Sequence, residues 1–556
     1  LLAPAEWVPA AAPEGASRLE SEGLPRELAL LLARRGVTDG AGARRFLAPA
    51  AEHLHPAGEM TDLEAAAGRL LGGGSGERVA IVGDYDVDGV ASAAMLAAVL
   101  RALGRAVEVI LPDRQREGYG FQAVHAERAA RNGCRLIVTV DCGSSSAPAV
   151  ERAQALGLDV IVTDHHIPGG ELPPGTLHVN PCQPRCAYPF PHLAAAGITF
   201  KLCGELLARS GREPQLDSLL RLACLGTIAD VVPLLGENRT IAALGLKALE
   251  ATRSHGLRAL IERSGMKPPF TAEDVGFRLG PRLNAAGRLQ DPASALELLL
   301  SRDARRAAEL ATQLDELNRQ RQAMESRVVA EARQIVLARG ALPGILIAWS
   351  AEWPKGVVGL AAGRLAAELH RPTVLLAIEG GTATGSGRSV EGLDLHRFLI
   401  PWAERMVRFG GHAQALGLSV EAARLDALRG EWEEASAELP ESLRRRVHEY
   451  ELELGAAQVG SGALRSIAVL APFGQGNWRP LVRVGPLRLR SAPRLFGRGH
   501  LAAEAAGEAG PPVGLLGWGW AERAALLQGR FEVLGAVEVD GFTGRDTVRL
   551  LDARAL

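Results

Sequence analysis

The stretch RVAIVGDYDVDGVASAAMLAAVLRALG, residues 78–104, decides the fold. Val79 to Val82 form a short unbroken apolar run, the pattern of a strand buried on both faces. Three carboxylates follow within five residues, Asp84, Asp86 and Asp88, closed by Gly89. ASAAMLAAVLRALG is rich in strong helix formers and predicts a helix. The same order repeats downstream. AVEVILP (106–112), RLIVTVD (135–141) and LDVIVTDHH (158–166) read as strands, and HAERAARNG (125–133) and APAVERAQALG (147–157) as the helices between them. Repeated strand–helix units imply a parallel sheet covered by helices, an α/β fold. In such sheets chemistry gathers at the carboxyl ends of the strands. GDYDVDG, VDCG and TDHH each stand at such an end.

Outward from this core the chain divides into five expected segments. Residues 1–60 read as short helices, LPRELALLLARRGV (24–37) among them, and 61–301 as the domain with the parallel sheet. LGGGSGE (71–77) is a linker; it lacks the GK[ST] ending of a phosphate loop and precedes a strand instead of following one. Residues 302–338, charged and Ala-rich, predict a long connecting helix. A second α/β domain is expected over 339–435, from ILIAWS, GLAAGRLAAELH and PTVLLAI. Short alternating strands over 436–556, such as LVRVGPLRLR, PVGLLGWGW and FEVLGAVEVD, fit a small β-barrel.

At 556 residues the chain is too long for one core. Its hydrophobic fraction of 47% and charged fraction of 23% are those of a globular protein. Six unevenly spaced cysteines make no disulfide framework, so a reducing cytoplasm is expected. No run of about 18 apolar residues indicates a membrane span. LLAPAEWVPAAAPEG (1–15) lacks the basic region of a signal peptide. A net charge of −2 excludes a uniformly basic coat but not a local basic groove. The cations are nearly all arginine, the lysines being Lys201, Lys247, Lys267 and Lys355. Arginine gives planar, bidentate phosphate contacts, although biased base composition explains the same excess.

Like charges as close as Asp84, Asp86 and Asp88 repel unless cations neutralise them. Hard divalent ions such as Mg2+ or Mn2+ prefer oxygen ligands. A calcium loop is a poor fit, because Met95 stands where the closing glutamate is needed. Asp141 ends the strand RLIVTV, where a helix cap is the plain alternative. Asp164, His165 and His166 close LDVIVT, and Asp230 lies within the apolar LGTIADVVPL, where an unpaired carboxylate would be costly. Together these residues supply ligands for two metals. Two such ions activate water and stabilise the attacking and leaving oxygens of phosphoryl transfer. His178, Cys182, Cys186 and His192 are a conceivable zinc set, but their spacing in VNPCQPRCAYPFPH is loose.

GDYDVDG, TVDCG, TDHH and GTIADVVPL, in this order, resemble the first four motifs of the DHH phosphoesterase superfamily. FRLGPRLNAAGRL (277–289), WPKGVVGLAAGRL (353–365), GSGRS (385–389) and RFGGHAQALGLSV (408–420) extend the resemblance to its branch of single-strand-specific 5′→3′ exonucleases. APFGQGNWRP (471–480) and GFTGRDTVRLLDAR (541–554) resemble that branch's oligonucleotide-binding OB-fold. The resemblance covers nearly the whole chain. It implies a parallel-sheet DHH domain, a DHHA1-like substrate domain joined by the long helix, and an OB-fold.

The resemblance also implies roles. Asp86, Asp88, Asp141, His165 and Asp230 would hold two divalent cations, Mn2+ or Mg2+, with Asp141 bridging them and Asp84 in support. His166 would face the scissile phosphate and Asp164 would orient the histidines. Some relatives carry a histidine four residues before the first paired aspartate; Val82 stands there in this chain, and the departure implies a more weakly held or more hydrated metal at one site. The implied reaction is attack of activated water on phosphorus, releasing 5′-mononucleotides. Candidate strand contacts are Arg114 and Tyr119; Arg282, Asn284 and Arg288; Ser386, Arg388 and Ser389 in a Gly-rich loop; and Gly410, Gly411 and His412. Trp478, Trp518 and Trp520 are candidates for base stacking. Implied partners are single-stranded DNA, a single-strand-binding protein and a helicase, with no membrane and a monomeric state. A DHH phosphodiesterase of short oligonucleotides or cyclic dinucleotides, and a non-catalytic single-strand-binding scaffold, are the alternatives.

Overall fold

In a computed structural model the apolar run at 79–82 is the strand Arg78–Gly83, all but its first residue buried. The structure describes residues 5–556 except 75, 114–116, 119, 214, 341, 460–466, 498, 509 and 540–545. Five parallel strands form the first sheet, in the spatial order Ala106–Ile110, Arg78–Gly83, Cys134–Val140, Asp159–Thr163, Leu177–Val179. Strand alternation sends neighbouring side chains to opposite faces. Val79 and Ile81 enter one core with the helices Val87–Ala102 and Ala195–Arg209. Ala80 and Val82 enter another with Ala123–Arg131 and Ala147–Ala155. The helix Val87–Ala102 is buried nearly all round, because it also meets Ala195–Arg209 and Leu216–Ala229. Its Ala91, Ser92, Ala93 and Ala94 are small enough for helices on two sides to approach.

The chain divides into two compact units. One joins 9–315 to 449–556. In it the N-terminal helices Ala16–Ser21, Arg26–Arg34 and Gly40–Leu47 share a core with the C-terminal strands, Leu31, Leu32 and Phe46 packing with Val484, Leu515 and Phe531. Those strands run in the order Leu452–Leu454, Leu481–Leu489, Phe531–Val539, Asp546–Ala555, Val513–Gly517, His500–Ala506, Arg494–Phe496. A further pairing of Arg488 with Ala506 and Leu489 with Ala505 links five of them into a ring. His500–Ala506, HLAAEAA, has no β-branched residue and is a strand the sequence pattern did not announce.

Arg239 ties this layer to the first sheet's helices. It is buried, lies 3.8 Å over the Phe46 ring, and donates to Phe46 O (2.8 Å), Leu470 O (2.7 Å), Ala471 O (2.7 Å) and Pro472 O (3.4 Å). Arg35 donates to Asn477 Oδ1 (2.5 Å), Trp478 O (2.7 Å) and Glu451 (3.0 Å).

The second unit contains 316–448 and the short segment ending at Val8. Its sheet runs Arg408–His412, Ala415–Glu421, Thr382–Arg388, Thr373–Glu379, Leu346–Ser350; the last pair is parallel and the rest antiparallel. Lys355–Leu369 and Val328, Val329, Ala332 and Val336 of the long helix cover one face, and Trp432 of Leu425–Ala437 the other. The long helix spans Ala304–Leu337.

Candidate metal centre

The strand order of the first sheet reverses between Arg78–Gly83 and Cys134–Val140. Connections leave their carboxyl ends in opposite directions and open a crevice there, the usual ligand site of such sheets. Asp84, Asp86 and Asp88 follow the first strand and Asp141 the second. Asp86 is the N-cap of Val87–Ala102, one oxygen accepting from Asp88 N (3.0 Å) and Gly89 N (3.1 Å). Asp141 turns the chain with φ 62°, a left-handed conformation that Asp tolerates better than most residues. Asp88 is buried and accepts from Ala195 N and Ala196 N, both 2.8 Å, at the start of Ala195–Arg209. The last turn of Leu216–Ala229 brings in Asp230. Gly226 makes this approach possible, since a Cβ there would stand 2.3 Å from Asp88 Oδ1.

His165 Nε2 is the hub. It lies 3.2 Å from Asp141 Oδ1, 3.7 Å from Asp230 Oδ2 and 4.0 Å from Asp88 Oδ2. Asp164 holds the histidine pair: Oδ1 accepts from His165 N (2.8 Å), His166 N (3.2 Å) and His166 Nδ1 (2.7 Å), and Oδ2 from Ser144 N (2.9 Å).

These environments separate the charges. Burial, then the Asp86 charge, pushes Asp88 up to about 7. Burial, then Asp88 and Asp86, pushes Asp230 up to about 8. Burial and the neighbouring aspartates raise Asp141 well above the carboxylate range. Burial and the charge of His166 pull His165 down to about 4, so its ring is neutral at pH 7. Burial opposes a charged His166, but the hydrogen bond to Asp164 and its charge outweigh it and raise His166 to about 9. Burial likewise opposes ionised Asp164; the same bond, with His166 and Ser144 N–H, holds it at about 2.

Buried Asp141 Oδ1 and His165 Nε2 make no hydrogen bond, which suits two lone pairs directed at a cation. Ligand atoms gather within 4.8 Å in three sets: Asp141, Asp164, His165 and His166; Asp88, His165 and Asp230; and Asp84, Asp86 and Asp141. The residue set thus fits two divalent ions, with Asp141 and His165 each common to two groups. Asp84 has a carboxylate oxygen within the third set. Val82 is buried among Ala80, Ile110, Phe121 and Cys142. His178, Cys182, Cys186 and His192 form no such group. His178 Nε2 meets Ser144 Oγ (2.9 Å) and Cys182 Sγ donates to Pro191 O (3.1 Å). All six cysteines are free thiols.

The strand candidates separate. Arg114 and Tyr119 lie outside the described residues. Arg282 pairs with Asp315 (2.9 Å) and donates to Arg278 O (2.7 Å). Asn284 Oδ1 accepts from Val87 N (3.1 Å), and Arg288 sits at the end of the same helix, Gly280–Leu289. GSGR is not a loop but part of the strand Thr382–Arg388. Its glycine is needed because a Cβ at Gly385 would stand 1.9 Å from Leu375 O of the neighbouring strand. Ser386 aligns with Gly417 and Gly410, and Arg388 with Ala415 and His412, so these candidates fall in two rows of one sheet; Gly411 lies between them. Ser389, just beyond, donates to Leu393 O (2.7 Å). Trp478 and Trp518 are exposed, at 60% and 56%. Trp520 is buried against Gly517 and belongs to the core, not to a stacking surface.

A groove of about 660 Å3 runs beside Asp230, lined by Val231, Phe277, Trp478, Arg479 and Arg549 among others. Phe277 is 79% exposed and Val231 59%. Arg479 lies 4.5 Å over Phe473, and both arginines share Glu273 (3.7 and 3.5 Å). Phe277, Arg479 and Arg549 come to this groove from distant parts of the sequence, so no local motif announces them.

The parallel sheet with aspartates and a histidine pair at its switch point is the part of the chain that matches the DHH family. Matching family models are the DHH family N-terminal domain over 78–227, the DHHA1 domain over 342–438 and the RecJ OB domain over 450–551. The chain is 40% identical over 462 residues to the single-stranded-DNA-specific exonuclease RecJ of Bacillus subtilis, with 82% of the chain aligned. It spans 58% of that relative's length. It is 37% identical to RecJ of Dickeya dadantii, covering 86% of each. Among solved structures, RecJ of Thermus thermophilus in complex with Mn2+ matches with TM-score 0.82 and 30% identity, over 99% of this chain and 80% of that one. Its Mg2+ complex matches with TM-score 0.76 and 28% identity, over 99% and 78%. The chain belongs to the RecJ family.

Proposed function

We propose that this chain is a metal-dependent exonuclease that degrades single-stranded DNA from the 5′ end and releases 5′-mononucleotides. The observation that carries the reading is the convergence of Asp141, Asp230 and Asp88 on His165 Nε2. Asp86, Asp88, Asp141, His165 and Asp230 would hold two divalent cations, Mn2+ or Mg2+, which supply an activated water and charge neutralisation at phosphorus. Neutral His165 offers a lone pair. His166, kept protonated and oriented by Asp164, presents a cationic donor to a phosphate oxygen. The groove beside Asp230 offers aromatic faces and guanidinium groups to a strand that enters from the C-terminal strand layer.

The partition into 1–60, 61–301, 302–338, 339–435 and 436–556 is kept, with Ser386, Arg388, Gly410, Gly411 and His412 as candidate substrate-binding residues. The reading places the enzyme in DNA repair and recombination in the cytoplasm, as a monomer working beside a helicase and a single-strand-binding protein. No helix among the described residues is long and apolar enough to cross a membrane.

The test uses 5′-labelled and 3′-labelled single strands with Mn2+. Immediate release of labelled mononucleotide from the 5′-labelled strand alone is expected; loss from the 3′ end first overturns the polarity. Dinucleotides and cyclic dinucleotides serve as competing substrates, and faster turnover of these than of long strands would favour a small-substrate phosphodiesterase.

A further inference from the structure

A helix leaves its first N–H groups without partners inside the helix. In Val87–Ala102 these begin with Val87, Asp88 and Gly89. Asp86 serves the second and third with one carboxylate oxygen, at 3.0 and 3.1 Å. The first is met from 197 residues away, where Asn284 Oδ1 accepts from Val87 N at 3.1 Å. Val87 is buried, so solvent is a poor substitute for that acceptor.

The same helix touches the other side of the turn. Gly287 lies one turn beyond Asn284, and a Cβ on it would stand 2.7 Å from Tyr85 O. Asn284 and Gly287, at i and i+3, therefore face the residues on either side of Asp86. Their helix is itself anchored. It follows the π-helical turn Val275–Leu279, a geometry frequent at functional sites. Two residues before Asn284, Arg282 pairs with Asp315 Oδ1 (2.9 Å), whose other oxygen meets Arg263 (3.0 Å).

We propose that Asn284 and Gly287 are positioning residues that hold the Tyr85–Val87 turn, and so aim Asp86 and Asp88 at the cation site, instead of contacting the phosphates of the strand. The proposal rests on the metal-centre reading above. It assigns a task to a distant segment that none of the metal-ligand sets includes. Loss of partners that orient metal ligands typically weakens metal binding by about 10–100-fold.

The test titrates Mn2+ alone into the full chain, without nucleic acid, following heat and the EPR signal of free Mn2+. Asn284→Leu keeps the volume and removes the acceptor; it should weaken Mn2+ binding by about 10–100-fold. Asn284→Asp keeps an acceptor and should restore wild-type binding. Excess Mn2+ should restore the kcat of Asn284→Leu, with KM for single strands unchanged. Wild-type Mn2+ affinity in Asn284→Leu with a raised KM would overturn the proposal in favour of phosphate contact. If Asn284→Leu does not fold, Gly287→Ala decides: its methyl group pushes on Tyr85 O, and unweakened Mn2+ binding in a folded Gly287→Ala protein overturns the proposal. A wild-type chain that binds no Mn2+ overturns the metal centre itself, a result distinct from a variant that binds as well as a binding wild type.

Discussion

Asp141 Oδ1 and His165 Nε2 stand 3.2 Å apart, both buried, and neither donates nor accepts a hydrogen bond. Without a cation this contact is unfavourable only once the pH is high enough to ionise the raised Asp141 carboxyl, which then crowds its neighbouring aspartates beside a neutral imidazole. Asp141→Asn is therefore expected to have opposite effects on activity and on stability. Mn2+-dependent nuclease activity should fall to background. At a pH that ionises Asp141, the metal-free variant should melt higher than the metal-free wild type, because the repulsion with the neighbouring aspartates is relieved. Differential scanning calorimetry in EDTA checks the second effect, and an unchanged or lower Tm contradicts it.

The raised carboxylates give a pH dependence with a definite sign. Asp88 at about 7 and Asp230 at about 8 hold protons in the folded protein that an unfolded chain releases near pH 4. The folded state binds more protons between those limits, so stability of the metal-free protein falls as pH rises from about 4 to about 8. Divalent ions replace those protons, so binding releases protons and tightens over the same range. The gain in Tm on adding Mn2+ should therefore grow from pH 5.5 to pH 8. A gain independent of pH would contradict the assignment of Asp88 and Asp230 as ligands.

Phe277 and Trp478 line one groove and are among the most exposed aromatic rings described. A stacked base is worth about 1–3 kcal/mol. Replacing either residue with alanine should raise KM for long single strands by roughly 5–150-fold. Mn2+ affinity should not change. Steady-state kinetics on strands of graded length measures this, and a fall in kcat at constant KM would argue against stacking.

Arg239 is a buried cation, with burial pulling it down to about 9, and donates to four backbone carbonyls. Arg239→Leu removes the donor to Phe46 O and Ala471 O, whereas Leu470 O and Pro472 O still accept from Asn477 Nδ2 (2.8 Å each), at about 1–3 kcal/mol for each carbonyl left unsatisfied. Denaturant unfolding should show a loss of about 2–6 kcal/mol, the sum for the two carbonyls that lose their donor. A loss below about 1 kcal/mol would mean that water takes over the carbonyls.

Much of the fold was legible because strand and helix use different residues here. Val79–Val82 and Leu136–Val140 are dense apolar runs, and 87–102 is almost free of charge. His500–Ala506 escaped notice because alanines carry no strand preference and pairing alone makes it a strand. Ser386 and Arg388 looked like loop residues because glycines surround them; the glycines serve close strand packing. Trp518 and Trp520 have the same chemistry two positions apart, and only the turn at Gly519, with φ 72°, decides which one is buried. Asp84, Asp86, Asp88, Asp141 and the His165–His166 pair could be placed at strand ends from the sequence, whereas the anchoring of Asn284 depends on a contact 197 residues long.

The junction made by Arg239 has a consequence for biosynthesis. Its carbonyl partner at Leu470 lies 231 residues later in the chain. At ribosomal speed that is a wait of roughly 10–50 s. During this interval the helix Gly236–Glu250 has emerged with a cation intended for burial, and the apolar faces of Leu31, Leu32 and Phe46 have no strands to cover them. Synthesis of the last hundred residues therefore completes a unit begun near the start, and a ribosome stalled within 316–448 would leave the aspartate-bearing sheet made but residues 449–556 of its unit missing.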